Sequence, residues 1–198
     1  MTMSSRRTHT TGFTLVEMIV SVALFAVVML VSVSTLLALV NANRKAQALQ
    51  SVINNLSIAL DSIARSARMG SVYHGAGGDG SCGGTDYTNP SDCPNGGSIL
   101  AFRPFGSTPS DPPWLYVFDS STHELKKSVT GSLIDALPIT APEVTIDDLK
   151  FYVVGTTPGD STQPKIIVIV KGSAGAVGSS ARTTFHVQAT AVQRLLDI

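Results

Sequence analysis

The run from Phe13 to Val40, FTLVEMIVSVALFAVVMLVSVSTLLALV, constrains this chain more than any other stretch. Its 28 residues hold a single ionisable side chain, Glu17. As a helix the run would be about 42 Å long, against a bilayer hydrocarbon core of about 30 Å. No Pro or Gly interrupts it, and the hydroxyls of Ser21, Ser32, Ser34 and Thr35 can bond back to their own turns. Such a segment spans a membrane or is buried on all sides in a helical assembly. The preceding MTMSSRRTHTTG is short and polar, with Arg6, Arg7 and His9 and no acid. Positive flanks stay cytoplasmic, so the N-terminus is expected inside the cell and residues from about Asn41 outside it. Arg44-Lys45 weakens that asymmetry without reversing it.

Three readings compete for the segment. A secretory signal peptide has an apolar stretch of about 7–15 residues, and this one is roughly twice that and contains an acid. Arg6-Arg7 could serve twin-arginine export, but the apolar residues usual just after such a pair are missing. A plain membrane anchor explains the length and leaves Glu17 unexplained. A carboxylate inside an apolar run costs a few kcal/mol and is usually functional, with a partner. No Lys, Arg or His follows within two helical turns. The nearest cation that could be made is a new α-amino group on Phe13, four residues earlier, after a cut at Gly12. That amine and Glu17 would both be charged at neutral pH, and between staggered helices their attraction could set an axial register, offset in part by desolvation. The bland alternative has Glu17 near the interface, reaching water.

Gly12-Phe13-Thr14-Leu15-Val16-Glu17, after a short basic leader and before an unbroken apolar helix, resembles the leader of type IV prepilins and pseudopilins. The resemblance covers roughly residues 6–40. It implies cleavage between Gly12 and Phe13 by a membrane prepilin peptidase, N-methylation of Phe13, and pairing of Glu17 with the Phe13 amine of a neighbouring subunit. Many relatives carry a proline within this helix; here the first is Pro90.

After Asn41 the apolar residues narrow to a stripe, Ala42, Ala46, Leu49, Ile53, Leu56, Leu60, Ile63 and Ala67, which marks an amphipathic helix. The helix is expected to run to Met69 and stop at Gly70. Its stripe suits a sheet or a coiled-coil seam, the sheet being favoured. Residues 70–98 read as a Gly-rich loop. Cys82 and Cys93, the only cysteines, would form a disulfide outside the cytoplasm, stabilising by about 3 kcal/mol on loop-closure grounds. Zinc would need two more ligands, with His74 and Asp86 at hand. Asp79, Asp86 and Asp92 could offer oxygens to calcium, but match no EF-hand. Solvated loop is the favoured reading over either metal.

Strands follow at Ile99–Phe102, Trp114–Phe118, Glu124–Val129, Leu149–Val154, Lys165–Val170 and Thr183–Val192, with Asp119 to Thr122 as a hairpin turn. The continuous Ile166–Val170 run suits a central strand. In the last strand Phe185, Val187, Ala189 and Ala191 alternate with polar residues, as on a half-exposed strand. A long helix followed by antiparallel strands is an α+β arrangement. The divisions are leader 1–12, assembly helix 13–40, amphipathic continuation 41–69, loop 70–98 and an antiparallel sheet domain over 99–198. The late Gln-Pro-Lys strand and the closing Phe-x-x-Gln strand before Gln193-Arg194-Leu195 resemble minor subunits of the J or W kind.

The charge balance, 14 Lys+Arg against 14 Asp+Glu with no long basic run, points away from nucleic acid. No Gly-x-Ser-x-Gly, His-Glu-x-x-His or phosphate-loop motif is present. His74, His123 and His186 are scattered over a loop, a turn and an exposed strand face, and Asp147-Asp148 reads as solvated. Trp114 reads as a core or edge aromatic. No catalytic residue, metal or cofactor is therefore expected. The expected function is a filament subunit, minor rather than abundant, in a pilus or in a secretion or DNA-uptake machine. Its partners would be a prepilin peptidase, other pilin or pseudopilin subunits, an inner-membrane assembly platform and membrane lipid. The alternative is a stand-alone membrane-anchored binding module.

Overall fold

In the computed structural model, residues 12–77, 82–142, 144–160, 162–174 and 182–194 are described. The leader through residue 11, Asp79 and Leu195 lie outside the described residues. Helix α1 runs from Leu15 to Met69. The chain divides into two compact units, one ending at Asn43 and the other beginning at Arg44.

In the first unit the helix meets its own polar needs. The hydroxyls of Ser21, Ser32, Ser34 and Thr35 donate to the carbonyls of Glu17, Val28 and, twice, Val31, at 2.7 to 2.8 Å. Backbone and hydroxyl groups are thereby closed within the segment, as a lipid-facing helix requires.

Among the described residues, the second unit packs the rest of α1 against nine strands in two antiparallel sheets. The first sheet has the order β1 (Ser71–Ala76), β3 (Ile99–Arg103), β4 (Trp114–Asp119), β5 (Glu124–Ser128), β6 (Leu137–Pro138). The second runs β2 (Cys93–Gly97), β7 (Val144–Val154), β8 (Lys165–Ala174), β9 (Thr183–Val192). The architecture is α+β and pilin-like, with two sheets where a single one was expected. One core cluster joins α1 to both. Leu60, Ile63 and Ala64 face Ile166, Val168, Ala189 and Ala191 of the second sheet. Tyr116 of the first lies beside Ser62 and Ser66 of α1 and stacks on Phe102 at 5.8 Å. Sheet packing, and not a coiled-coil seam, thus takes the apolar stripe.

That stripe differs from the expected one at its N-terminal end. The buried residues are Val52, Leu56, Ala59, Leu60, Ile63 and Ala67, while Ile53 is 47% exposed. At about 100° per residue, Val52 falls on the face shared by Ile63 and Ala67, and Ile53 falls on its rim. Ala42 and Ala46 are exposed and Leu49 is half-buried.

The helix ends at Met69 as expected, but Gly70 serves a different purpose. A Cβ there would lie 2.7 Å from the Phe102 ring, so the position needs a small residue for close approach. The left-handed backbone is taken instead by Val72, at φ 53°, an unfavourable choice for a β-branched residue. This reversal brings the Tyr73 hydroxyl to the carbonyls of Ala67 (2.5 Å) and Gly70 (2.7 Å), two acceptors left at the helix end.

Residues 70–98, expected to be loop, contain β1 and β2. Strand β2, Cys-Pro-Asn-Gly-Gly, has almost no strand-forming side chains. It exists because the edge of β7 supplies main-chain partners, Cys93 with Val153 and Gly97 with Phe151, and an edge position tolerates Pro94. Strand β7 likewise starts at Val144 rather than Leu149. Its inward residues are Val144 and Ile146, then Leu149, Phe151 and Val153. An irregularity between Ile146 and Asp148 absorbs the change of phase, leaving Asp147 exposed. Strand β8 extends to Ala174 and is interior to its sheet, and β9 has the expected alternation.

The hairpin of β4 and β5 turns at residues 120–123, with Asp119 paired to Glu124. Asp119 accepts from Lys126 at 2.6 Å and from the Ser121 hydroxyl and amide. Lys126 first, then Ser121, holds its carboxyl well below the usual carboxylate range.

Three outcomes are expected for the full chain in detergent. Ile63→Ala, at a side chain 1% exposed, should cost about 2–5 kcal/mol in urea unfolding. Ile58→Ala, at one 71% exposed, should cost under about 0.5 kcal/mol. A depressed carboxyl adds stability above its unfolded titration range and loses it as pH falls. Asp119→Asn should therefore lower the melting temperature at neutral pH; the gap from the parent should begin to narrow below about pH 4 and close only where the folded carboxyl itself protonates, well below that.

Candidate functional site

The segment at Gly12, Phe13 and Glu17 opens α1. Phe13 is 76% exposed, and a Cβ at Gly12 would meet nothing within 4 Å, so the backbone there is accessible. Thr14 caps the helix: its Oγ1 accepts the Glu17 amide at 3.3 Å and its carbonyl accepts the Met18 amide at 3.1 Å. Thr14-x-x-Glu17 is the spacing of a capping box, a signal present in the sequence and missing from the reading of Glu17 there. An acid in the first turn is also favoured by the helix dipole. Glu17 thus has a local reason to sit where it does, in addition to any partner outside its own helix. In the uncut chain the Phe13 nitrogen is an amide, so an ion pair with Glu17 could arise only after cleavage.

From Phe13 to Val40 every large apolar side chain is exposed, including Leu24 (63%), Leu30 (73%) and Leu39 (65%). The most apolar 18-residue window of α1 has a mean hydropathy of 2.7 and is 0% buried. Length and composition allow this part of the helix to cross a membrane. Between Glu17 and Arg44 no charged side chain interrupts it.

In the second unit, Cys82 and Cys93 form a disulfide with Cα atoms 4.4 Å apart, so their sulfurs are not free to hold zinc. Asp86 accepts from Thr88 and Asn89 of its own turn, and Asp92 accepts the Thr156 amide at 2.9 Å. Among the described residues no group of three or more His, Cys, Asp or Glu is placed to hold a metal ion. His74, expected in a loop, is a buried residue of β1. The sequence signal that would have moved it is the Val72-Tyr73-His74 triplet, hidden by the glycines that follow. His123, at φ 58°, braces the hairpin against β7: its Nδ1 lies 2.8 Å from the Ile146 oxygen, and the Ile146 amide donates to its carbonyl at 3.0 Å. His186 is exposed on β9. Trp114 is a half-buried aromatic with the Lys127 ammonium 3.6 Å above its ring, and burial lowers the pKa of that lysine.

Two open grooves flank the last turns of α1. One, about 800 Å³, is lined by Asp61, Arg65, Arg68, Val192 and Arg194; the other, about 450 Å³, by Ser66, Met69, Phe105 and Trp114. In the first of these, Asp61 is bound to Arg65 at 2.7 Å.

No curated protein and no solved structure matches the chain. Residues 7–33 match the family model described as the prokaryotic N-terminal methylation motif. The match takes in Gly12, Phe13 and Glu17 and about three quarters of the exposed apolar run, and through that segment it supports a type IV prepilin-like protein that is membrane-anchored and processed by a prepilin peptidase.

Proposed function

We propose that the chain is a structural subunit, minor rather than abundant, of a type IV pilus or a related secretion or DNA-uptake filament. The observation that carries this reading is the helix surface from Phe13 to Val40, whose large apolar side chains are all exposed and which is introduced by the methylation motif. Burying one Val, Leu, Ile or Phe side chain is worth about 1.5–3 kcal/mol. A run of this length in water would oppose solubility by tens of kcal/mol, so lipid or neighbouring helices must cover it. Lipid serves before assembly and other subunits serve after it. The leader would face the cytoplasm and the sheets the outside. Cleavage between Gly12 and Phe13 would convert the Phe13 amide to an amine, which is then methylated. In the low-dielectric centre of a bundle, Glu17 of one subunit and that amine of another would each satisfy a charge that is costly alone. The pair would fix the axial step between helices. An inner-membrane assembly platform would drive insertion.

Glu17→Ala removes the carboxylate and leaves the Thr14 cap and the apolar surface in place. Its expected outcome is near-normal leader removal together with a loss of at least about tenfold in sheared filaments, the scale of leaving one buried charge without its partner. Wild-type abundance of the variant in filaments would exclude Glu17 as the register device. Monomers in detergent that retain residues 1–12 and lack filament partners would instead favour a stand-alone anchored module.

A further inference from the structure

His74 is 3% exposed, and both of its ring nitrogens face backbone carbonyl oxygens. Nδ1 lies 2.7 Å from the Asn89 oxygen and Nε2 lies 3.0 Å from the Gly84 oxygen. A carbonyl oxygen only accepts, and a neutral imidazole carries a single N–H. A neutral ring therefore satisfies one of these carbonyls and turns a lone pair towards the other. The imidazolium donates to both.

The two carbonyls lie on opposite limbs of the segment closed by the Cys82–Cys93 disulfide. Main-chain bonds already hold the ends of that segment to β1. The Gly83 amide donates to Gly75, the Ser91 amide to Tyr73 and the Gly75 amide to Ser91, each at 3.0 Å. His74 holds the middle. The loop lies close enough on the ring that a Cβ on Gly83 would fall 2.6 Å from it, and Tyr87 meets the ring edge-on at 5.5 Å.

The groups around the ring come from several elements. The loop contributes Tyr87, whose burial raises its hydroxyl above the ordinary value, and Asp86, held below its ordinary value chiefly by the Thr88 hydroxyl and amide. Tyr87 therefore stays neutral, and Asp86 stays charged, across the range in which imidazoles titrate. Asp86 attracts a charged ring. Strand β3 opposes His74 with Ala101, while Cys93 of β2 and Val153 of β7 lie against the neighbouring Gly75. Asp92, at the far end of the loop, is engaged by the Thr156 amide.

We propose that His74 is a proton-operated clasp on the disulfide loop: the charged ring pins both limbs through Gly84 and Asn89, and loss of its proton releases one limb. Residues 82–92 then loosen as pH rises through the titration of the ring, while the disulfide and the β1 ladder stay in place. The inference does not depend on the filament reading, because all of its parts lie in the unit that begins at Arg44.

The test uses the full chain in detergent micelles from about pH 5 to about pH 8.5, the span in which imidazoles change charge. Ring nitrogen signals of His74 are recorded by NMR, and amide hydrogen exchange is followed by mass spectrometry with the intrinsic pH effect removed. The expected result is two protonated ring nitrogens at the acidic end. As one proton leaves, exchange within 82–92 should rise roughly tenfold, the scale of one charge-assisted hydrogen bond, with Lys165–Ala174 unchanged. His74→Asn can keep one amide donor but cannot switch, so its loop should exchange at a rate without that step. Should the variant not fold, the wild-type titration decides alone. A ring that keeps one protonation state throughout, or exchange in 82–92 that changes no more than in β8, overturns the clasp.

Discussion

Apolar helix surface has to be taken out of water, and α1 does so by two different means along its length. From Val52 to Ala67 the apolar face is narrow, and the chain's own sheets cover it, with Ile63 and Leu56 each 1% exposed. From Phe13 to Val40 the surface is apolar but for Glu17 and a few hydroxyls, and every large apolar side chain on it is exposed. Everything else follows from that division. The sheets are needed to bury one stripe, and a membrane or a helical assembly is needed to bury the other surface. The serine and threonine hydroxyls bond back to their own turns, so Glu17 is the one side chain of the first part that still calls for water or a partner.

The second unit reads as a device for closing the far end of α1. Tyr73 takes up the last carbonyls, Gly70 admits Phe102 against the helix end, and the Arg194 amide donates to the Arg68 carbonyl at 2.9 Å. The cost is a strained Val72, held in place by the bonds on either side of it. Around this closure the hairpin, the disulfide loop and the edge strands give a surface rich in loops, the usual place for variation in recognition.

Sequence logic reached the elements whose side chains dictate them. The helix, the β8 run Ile166–Val170 and the alternating β9 all announce themselves by period and composition, and α+β order follows. Other features depend on main chain or on partners far away in sequence. Strand β2 has no side-chain signature and is made by the open edge of β7. The phase break at Asp147 interrupts the alternation of β7 and leaves the β-branched Val144-Thr145-Ile146 too short to stand out alone. Gly70 looked like a helix stop on propensity, yet it is the Phe102 ring, distant in sequence, that requires it. The pattern of the candidate site is local: Gly12, Phe13 and Glu17 lie within six consecutive residues, inside the matched methylation motif. The Thr14 cap is local too, and its Thr-x-x-Glu spacing shares Glu17 with the motif. The surroundings of His74 could not be read at all, since its two acceptors are backbone atoms of a loop.

In the proposed function, the chain is cut between Gly12 and Phe13 before its apolar helix joins neighbouring subunits. The direct measurement is the intact mass and N-terminal sequence of the chain purified from membranes of cells that express a matching prepilin peptidase. The account gives a chain that begins at Phe13 and carries one added methyl group. A chain that keeps Met1 under those conditions, or one that starts beyond Val40, would contradict it.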